Sequence, residues 1–338
     1  MMADVAMNDA VQAASGDVGA FAAFGGRRPR VALLSTQLDM AYLLPAFAEL
    51  FPEADVRLQA ALGDLQEIDA AVCWMPPRGL LARMPELKLI QSIAAGIDHI
   101  TADPGLPAVP VCRMVDPDMA AGMAAYVCWA VTNRQRHMYG YVASAAERQW
   151  REQPVEAPGA HRVGIAGLGA LGVRCALALR AIGYRVSGWS RGPKSGLPAD
   201  IALFHGDAQR AAFLAGCDTL VCLLPYTPET HGILDAGCYD RLPRGAHLVN
   251  VGRGAHVVEA DLLRALDSGQ LGYATLDTFT EEPLPADHPY WTHPRILVTP
   301  HIASRTPARA IARQTRANLA QIILGNAAAV AVDPAKGY

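Results

Sequence analysis

Short apolar runs alternate with longer segments of helical periodicity along most of this chain. The runs are four to six residues long, which favours buried strands, and between them apolar residues recur every three or four positions. Strands that alternate with helices are typical of βαβ units, in which neighbouring strands are parallel. The pattern therefore predicts an α/β protein built on parallel sheets.

The pattern places nine strands and seven helices. The predicted strands are 30–34, 70–74, 89–93, 161–166, 184–189, 219–224, 247–251, 272–277 and 296–299. The predicted helices are 41–50, 119–148, 171–182, 207–214, 235–242, 259–266 and 307–324. Gly183 and Gly269 stand where a residue just past a helix end would lie.

The series of strands restarts at residue 161, which indicates two domains. We predict two doubly wound α/β domains of the Rossmann-like or flavodoxin-like kind, one over 115–305 that is inserted into a discontinuous domain formed by 28–114 and 306–338. Two chain crossings between such domains would form a hinge over a cleft. Residues 1–27 are rich in Ala and Gly and lack a steady period, so we predict a flexible extension outside the fold.

Composition excludes several classes of partner. Of 338 residues, 51% are hydrophobic and 18% charged, and the net charge is −3. The basic residues are scattered along the chain, so we expect neither nucleic acid nor a membrane as partner. The seven cysteines form no C-x-x-C and lie mostly in apolar runs, which is typical of buried thiols in a reducing cytoplasm.

The string Gly167-Leu168-Gly169-Ala170-Leu171-Gly172 matches G-x-G-x-x-G. It follows a predicted strand, opens a predicted helix and precedes another strand, which is the order that a dinucleotide site requires. The first glycine permits a tight turn, the second lets pyrophosphate approach the backbone, and the third lets helix pack on strand. The N-terminus of the helix would then bind phosphate.

The end of the next strand bears on which nicotinamide cofactor is bound. An Asp or Glu there would favour NAD, but this chain has Ser190, 18 residues after Gly172, followed by Arg191 and Lys194. A small hydroxyl and two cations suit a 2′-phosphate, so we predict a preference for NADP(H), with NAD(H) possible. The alternative is that these cations are solvated surface residues beside an NAD site.

Three further segments follow strand ends in the same domain, where ligands of open sheets bind. They contribute Arg253, Glu282 and His301. A cation, a carboxylate and an imidazole fit the reduction of a 2-keto acid, with the Arg binding the carboxylate and the His giving a proton. The Glu would hold the His; its neighbour Glu281 is the alternative carboxylate. We predict no metal.

On these motifs the chain resembles the D-isomer-specific 2-hydroxyacid dehydrogenase family from about Val31 to the C-terminus. The resemblance implies a substrate-binding Arg253, an acid–base pair of Glu282 and His301, and substrate contacts from Trp74, Ala95 and Gly96. It further implies cofactor contacts, besides the glycine turn and the 190–194 loop, from Leu224, Pro225, Val251, Asp277, His301 and Ser304.

Within that family the chain resembles bacterial glyoxylate/hydroxypyruvate reductases of the A type, which implies reduction of small 2-keto acids. Two departures from that group are Pro193, where a second Arg is usual, and Gly252, where Ala is common. The alternatives are an NAD-dependent dehydrogenase of a larger keto acid and a non-catalytic cofactor-sensing regulator. A formate dehydrogenase would carry Gln in place of Glu282, and a phosphoglycerate dehydrogenase usually has an appended domain.

The apolar helix predicted over 119–148 suggests a homodimer, as is usual in this family. Trp150 follows that helix, and we expect it to pack locally, the alternative being that it reaches a partner's active site. The resemblance and the cysteine pattern together imply a cytoplasmic enzyme.

Overall fold

A computed structural model describes residues 18–24, 26–328 and 330–333. The chain forms two compact units: unit 1 is Met1–Met119 with Arg305–Tyr338, and unit 2 is Ala120–Ser304. The sequence places the two crossings after residues 114 and 305, whereas the structure has them after 119 and 304.

Unit 1 contains a six-stranded sheet. Its strands are β1 (Arg30–Ser35), β2 (Asp55–Leu58), β3 (Ala70–Trp74), β4 (Leu89–Ser92), β5 (Val111–Cys112) and β13 (Ala331–Val332), in the order β13-β5-β4-β3-β1-β2. All pairs are parallel except β13 with β5, which is antiparallel. The helices of this unit are α1 (Leu44–Leu50), α2 (Asp98–Thr101) and α9 (Ala308–Ile323), and α3 (Pro117–Gln135) begins in it.

The central strand β1 of the unit 1 sheet is buried on both faces. Ala32 and Leu34 of β1 pack in one cluster with Ile68, Leu81 and Ile100. Val31 and Leu33 are also fully buried, and alternation along the strand turns them to the opposite face. A strand buried on two sides explains why β1 is continuously apolar.

Part of the segment expected to lie outside the fold is packed onto it. Val18–Phe24 forms a 3₁₀ helix, in which Phe21 is buried with its ring 5.0 Å from that of Phe51. Arg27 makes two hydrogen bonds to the buried carboxylate of Asp69. The prediction of a flexible extension is therefore wrong for this part, because two aromatic rings supply a core contact; residues 1–17 and 25 lie outside the described residues.

Unit 2 contains a seven-stranded parallel sheet. Its strands are β6 (Arg162–Ala166), β7 (Arg185–Ser190), β8 (Ala202–His205), β9 (Thr219–Cys222), β10 (Ala246–Asn250), β11 (Leu271–Leu276) and β12 (Ile296–Val298), in the order β12-β11-β10-β9-β6-β7-β8. Its helices are most of α3, then α4 (Met138–Ala146), α5 (Ala170–Ile182), α6 (Gly206–Ala215), α7 (Ala236–Tyr239) and α8 (Glu259–Asp267). The predicted fold class, two doubly wound sheets with one unit inserted in the chain of the other, is confirmed.

Helices cover both faces of the unit 2 sheet. Val163 and Ile165 of β6 pack with α3 and α5, whereas Ala166 faces the cluster that contains Phe213 of α6 and Leu262 of α8. Strands covered on both faces end together at one edge, so the segments that follow them are brought together there.

The structure departs from the predicted elements in one long helix and four strands. The helix expected over 119–148 is interrupted at His137, whose left-handed backbone (φ 57°) separates α3 from α4. The strands β2, β5, β8 and β13 were not predicted, and β5 and β13 are only two residues long. The strands β2 and β8 are edge strands of four residues with no buried side chain, so they lack the apolar run that marks a central strand.

Candidate active site

The glycine turn lies between β6 and α5, as the sequence predicts. Gly167 has φ 106°, and a Cβ there would lie 2.5 Å from the carbonyl oxygen of Leu223. A Cβ at Gly172 would lie 1.9 Å from the carbonyl oxygen of Gly167. Both positions therefore require glycine for the fold itself.

Gly169 differs from the other two glycines because nothing described lies within 4 Å of the position that its Cβ would take. It is the N-cap of α5, and no side chain in the described structure caps that helix. An uncapped helix N-terminus beside an open glycine offers N–H groups and positive potential to a phosphate. The geometry of these residues therefore fits the binding of a dinucleotide.

Two residues of the predicted cofactor loop contribute to the core instead. The Leu168 side chain is buried, and a Cβ on Gly188 would lie 2.7 Å from its methyl groups. Leu171 packs against the cluster formed with α3. Because its side chain is buried, any contact of Leu168 with a cofactor would be made by the backbone, whereas the side chain of Leu171 is only partly buried.

The segment after β7 carries the predicted phosphate-binding residues. Ser190 is buried, and its hydroxyl donates to the carbonyl oxygen of Gly192 (2.8 Å), which shapes the turn. Arg191 and Lys194 follow with exposed side chains. This end of β7 is therefore cationic, with no carboxylate at position 190.

Arg253 lies in the loop after β10 and is held by two buried residues that the sequence analysis missed. The Asn250 amide donates to the Arg253 carbonyl oxygen (2.9 Å). The Arg253 N–H donates to Nδ1 of His256 (3.0 Å), and the other ring nitrogen of His256 lies 3.3 Å from the carbonyl oxygen of Pro225. A His that accepts at Nδ1 must carry its proton on Nε2, so it bridges the Arg253 and Pro225 loops as a neutral ring.

The polar residues Asn250 and His256 are both fully buried. The signal that could have found them is a polar residue within or beside an apolar strand end, because such a group needs a hydrogen-bond partner. Gly252 has a related role: a Cβ there would lie 2.8 Å from Nδ1 of His256.

His301 and Glu282 are in direct contact. Nδ1 of His301 lies 2.8 Å from Oε2 of Glu282, and the other carboxylate oxygen accepts the N–H of Phe279 (2.9 Å). The structure thus brings Glu282, and not Glu281, to the imidazole. Burial favours the neutral form of Glu282, but the hydrogen bond and charge of His301 outweigh it and hold the pKa of Glu282 below its ordinary value.

Asp277 lies at the end of β11 and holds the loop that carries His301. Its carboxylate accepts the hydroxyl of Thr299 (2.6 Å) and the N–H groups of Ile302 (2.9 Å) and Ala303 (2.8 Å). Burial raises the pKa of Asp277, and these three hydrogen bonds act in the opposite direction. The residue predicted to contact the cofactor therefore also organises the loop.

In unit 1, the predicted substrate residues lie at the ends of β3 and β4. The Trp74 ring packs against the ring of His99, tilted by 49°, with 4.8 Å between ring centroids. Ala95 and Gly96 are half-buried, and the hydroxyl of Ser92 donates to the Gly96 carbonyl oxygen (3.0 Å). Their predicted contacts with substrate stay predictions.

The remaining predicted cofactor residues, Leu224, Val251 and Ser304, lie in the segments after β9, β10 and β12. The expected local packing of Trp150 is wrong: the residue follows the end of α4 and is 93% exposed. Among the described residues no three His, Cys, Asp or Glu side chains are placed to hold a metal. Nor does any described helix combine the length and apolar character needed to span a bilayer.

Comparison with known proteins places this geometry in a family. Residues 128–303 match the model of the D-isomer specific 2-hydroxyacid dehydrogenase NAD binding domain. A glyoxylate/hydroxypyruvate reductase A from Serratia proteamaculans is 42% identical over 301 residues, which cover 87% of this chain and 95% of that protein. The reductase A of Yersinia enterocolitica is 40% identical and is covered to 93%.

Solved structures agree with the sequence comparisons. A D-isomer specific 2-hydroxyacid dehydrogenase from Xanthobacter autotrophicus, in complex with NADPH and MES, has a TM-score of 0.87 at 39% identity, covering 92% of this chain and 100% of that one. An NADPH-dependent glyoxylate/hydroxypyruvate reductase from Sinorhizobium meliloti, in complex with NADP and sulfate, has a TM-score of 0.87 at 35% identity with the same coverage.

Proposed function

This chain belongs to the D-isomer specific 2-hydroxyacid dehydrogenase family, and we propose that it reduces small 2-keto acids, glyoxylate and hydroxypyruvate, with NADP(H) as the preferred cofactor. The observation that carries the proposal is the 2.8 Å contact between His301 and Glu282 in the unit that also holds Arg253 and the glycine turn. These groups follow strands of one parallel sheet, at the edge where such sheets bind ligands.

Unit 2 fits the cofactor. The open position at Gly169 and the uncapped α5 would hold the pyrophosphate, and Arg191 with Lys194 would bind a 2′-phosphate. When bound, the reduced nicotinamide supplies the hydride that the carbonyl carbon accepts. NAD(H) remains a possible second cofactor because Ser190 carries no charge that would repel or require a phosphate.

His301 is the proposed general acid. Reduction of a ketone adds a hydride to carbon and a proton to oxygen, so the site needs an acid near the carbonyl oxygen. Glu282 accepts at Nδ1 of His301, which orients the ring so that Nε2 is the nitrogen that donates the proton, and its negative charge stabilises the imidazolium.

Arg253 is the proposed substrate-binding residue. A guanidinium can bind a carboxylate with two parallel hydrogen bonds, which fixes the orientation of a 2-keto acid. Asn250 and His256 hold the backbone of Arg253 on both sides through its carbonyl oxygen and N–H, so the base of the side chain is fixed by hydrogen bonds to buried residues.

We also propose that the protein is a cytoplasmic homodimer. The segment from α3 through residue 155 exposes several large apolar side chains, which is unusual for a surface without a partner. They are Trp129, Met138, Val142, Trp150 and Val155. The seven cysteines are free, which suits a reducing compartment. Sedimentation as a stable monomer would contradict the dimer.

The test of the function is a steady-state screen of 2-keto acids with NADPH and NADH, on the wild type and on His301→Ala. We expect turnover of glyoxylate and hydroxypyruvate, and a loss of kcat of about 10²- to 10⁴-fold in the variant with little change in cofactor binding. His293→Ala is the matched control, because its ring pairs with Asp267 and not with Glu282. Near-normal turnover by His301→Ala would disprove the proposed acid.

A further inference from the structure

A chain of hydrogen bonds connects helix α3 to the loop that carries His301. The hydroxyl of Tyr126, on α3, lies 2.6 Å from the hydroxyl of Thr299. The Thr299 hydroxyl in turn lies 2.6 Å from Oδ1 of Asp277. All three residues belong to unit 2. Tyr126 does not belong to the glycine turn or to any of the motifs that mark the family, so its connection to this loop needs a separate explanation.

Counting protons shows which group donates and which accepts in each of these hydrogen bonds. The Asp277 carboxylate faces three donors, since it also accepts the N–H groups of Ile302 and Ala303, and it therefore acts as the acceptor throughout. Thr299 has one hydroxyl proton, which it donates to Asp277. Its oxygen must then accept the proton of Tyr126. Burial raises the pKa of Tyr126, so that hydroxyl keeps its proton at neutral pH.

The loop that this chain holds surrounds His301 on both sides. Asp277 binds Thr299, two residues before the histidine, and Ile302 and Ala303, which follow it. Its backbone carbonyl also accepts the His301 N–H (2.9 Å). His301 itself has φ 51°, a left-handed conformation that costs a non-glycine residue energy and persists only where neighbours impose it. The position of the imidazole therefore depends on these bonds.

Helix α3 can supply a fixed reference for the loop. On either side of Tyr126, Ala124 and Val127 are buried in a cluster that includes Ala303 of the same loop. A hydroxyl carried by a packed helix has little freedom, so the bond to Thr299 transmits the position of α3 to the loop. We propose that Tyr126 is a positioning residue for His301, acting through Thr299 and Asp277; this rests on the proposed function.

The first test is Tyr126→Phe, which removes only the hydroxyl. We expect kcat to fall about three- to tenfold, the range of one buried hydrogen bond, while KM for NADPH changes less than about twofold. Tyr184→Phe is the matched control: its hydroxyl lies 3.2 Å from Thr132, also on α3, and does not contact the loop. A kcat of Tyr126→Phe equal to that of the wild type and of the control would overturn the proposal.

A double-mutant cycle separates positioning from general loss of stability. Thr299→Val breaks the chain at its centre, so adding Tyr126→Phe to it should change kcat by less than about twofold. Losses that multiply would mean that Tyr126 acts independently of Thr299 and would overturn the proposal. Thr299→Ser keeps the hydroxyl and should recover most of the kcat that Thr299→Val loses; this pair decides the matter if Tyr126→Phe fails to fold.

A readout without substrate distinguishes this proposal from the function on which it rests. Amide hydrogen exchange at Ile302 and Ala303 should be several-fold faster in Tyr126→Phe than in the wild type or in Tyr184→Phe. Unchanged exchange would overturn the positioning role even in an active enzyme. Faster exchange in a protein that reduces no 2-keto acid would contradict the proposed function and leave the hydrogen-bonded chain supported.

Discussion

The amino ends of the two sheets are built alike. In each unit an aspartate precedes a strand and accepts the N–H of the first residue of the neighbouring strand: Asp69 accepts from Arg30, and Asp218 from Arg162, each at 2.9 Å. Each carboxylate also pairs with a guanidinium, from Arg27 in unit 1 and from Arg162 in unit 2. In both units, an aspartate paired with an arginine thus provides the hydrogen-bond partner for the N–H group at the start of a buried strand.

At the carboxyl ends of the sheets, the turn after the first strand of each unit differs. After β1, the Ser35 hydroxyl accepts the N–H groups of Gln37 and Leu38, and Asp39 caps the next helical turn. After β6, the helix starts at Gly169 with no side-chain cap in the described structure. Side chains thus occupy the N–H groups of one turn and leave those of the other open to a ligand. The shared features serve the fold, and the difference is the one that the proposed cofactor binding requires.

The largest effect should come from Gly172→Ala, which tests whether the open turn depends on its glycines. The new Cβ would meet the Gly167 carbonyl oxygen at 1.9 Å, and no rotamer can relieve a contact between Cβ and backbone. We expect a loss of about 3 kcal/mol or more in the free energy of unfolding, measured by denaturant titration. Wild-type stability would show that helix and strand need not approach so closely.

Gly169→Ala should separate binding from folding at the same turn. Nothing described lies within 4 Å of the new methyl group, so the free energy of unfolding should stay within about 0.5 kcal/mol of the wild type. The methyl group would occupy the approach of the pyrophosphate, and we expect Kd for NADPH to rise about 10- to 100-fold by fluorescence titration. An unchanged Kd would show that the cofactor does not bind over Gly169.

The glycine turn could be predicted because its constraints are local. Gly172 is required by a backbone contact within the strand–turn–helix unit, and Gly167 by its positive φ of 106° as well as by the approach of Leu223. The spacing of such glycines is visible in a sequence. The residues after the strand ends could be predicted for a similar reason, since parallel strands bring those ends to one edge. That rule left Glu281 and Glu282 as alternatives, and the resemblance to the family favoured Glu282, which the structure places against His301.

Two of the contacts that were missed join distant segments. Tyr126 reaches Thr299 across 173 positions, and within an apolar helix a tyrosine looks like ordinary core. The packing of Phe21 on Phe51 joins the 3₁₀ helix Val18–Phe24 to the residue that follows α1, and no hydrophobic period marks this contact. Such pairs are set by tertiary packing, and no local pattern in a single sequence marks them.

A third test concerns the binding of a 2′-phosphate after β7. An arginine lies at each end of this strand, so one can be changed and the other can serve as the control. Arg191→Ala should raise KM for NADPH about tenfold and leave KM for NADH within about twofold, since a 2′-phosphate is present on only one cofactor. Arg185→Ala is the matched control at the amino end, where the guanidinium donates to the carbonyl oxygen of Gly159. Equal effects of Arg191→Ala on both cofactors would contradict the assignment.

The smallest expected effect concerns the similarity of the amino ends. Arg27→Ala removes a guanidinium from Asp69, which keeps Lys88 and the Arg30 N–H as partners. Because the Arg27 side chain is 41% exposed, solvent screens the pair, and we expect a loss of only about 1 kcal/mol in the free energy of unfolding at pH 7. A measurable loss would also place Arg27 within the fold.

The stability loss of Arg27→Ala should depend on pH, in a direction set by the pKa of Asp69. Burial opposes ionisation of Asp69, but the hydrogen bonds of Arg27, Arg30 and Lys88 hold its pKa below the ordinary value. A carboxyl with a lowered pKa in the folded state stabilises the protein above its unfolded pKa of about 3.9, and this contribution is lost as the pH falls through the folded pKa. The stability deficit of Arg27→Ala relative to wild type should therefore shrink below about pH 4.

Arg162→Ala should lower the free energy of unfolding at pH 7 by less than Arg27→Ala does, because Asp218 is 27% exposed and Asp69 is fully buried. If Arg162→Ala costs more, or if the Arg27→Ala deficit is independent of pH, the two amino ends share a geometry but not an energetic role.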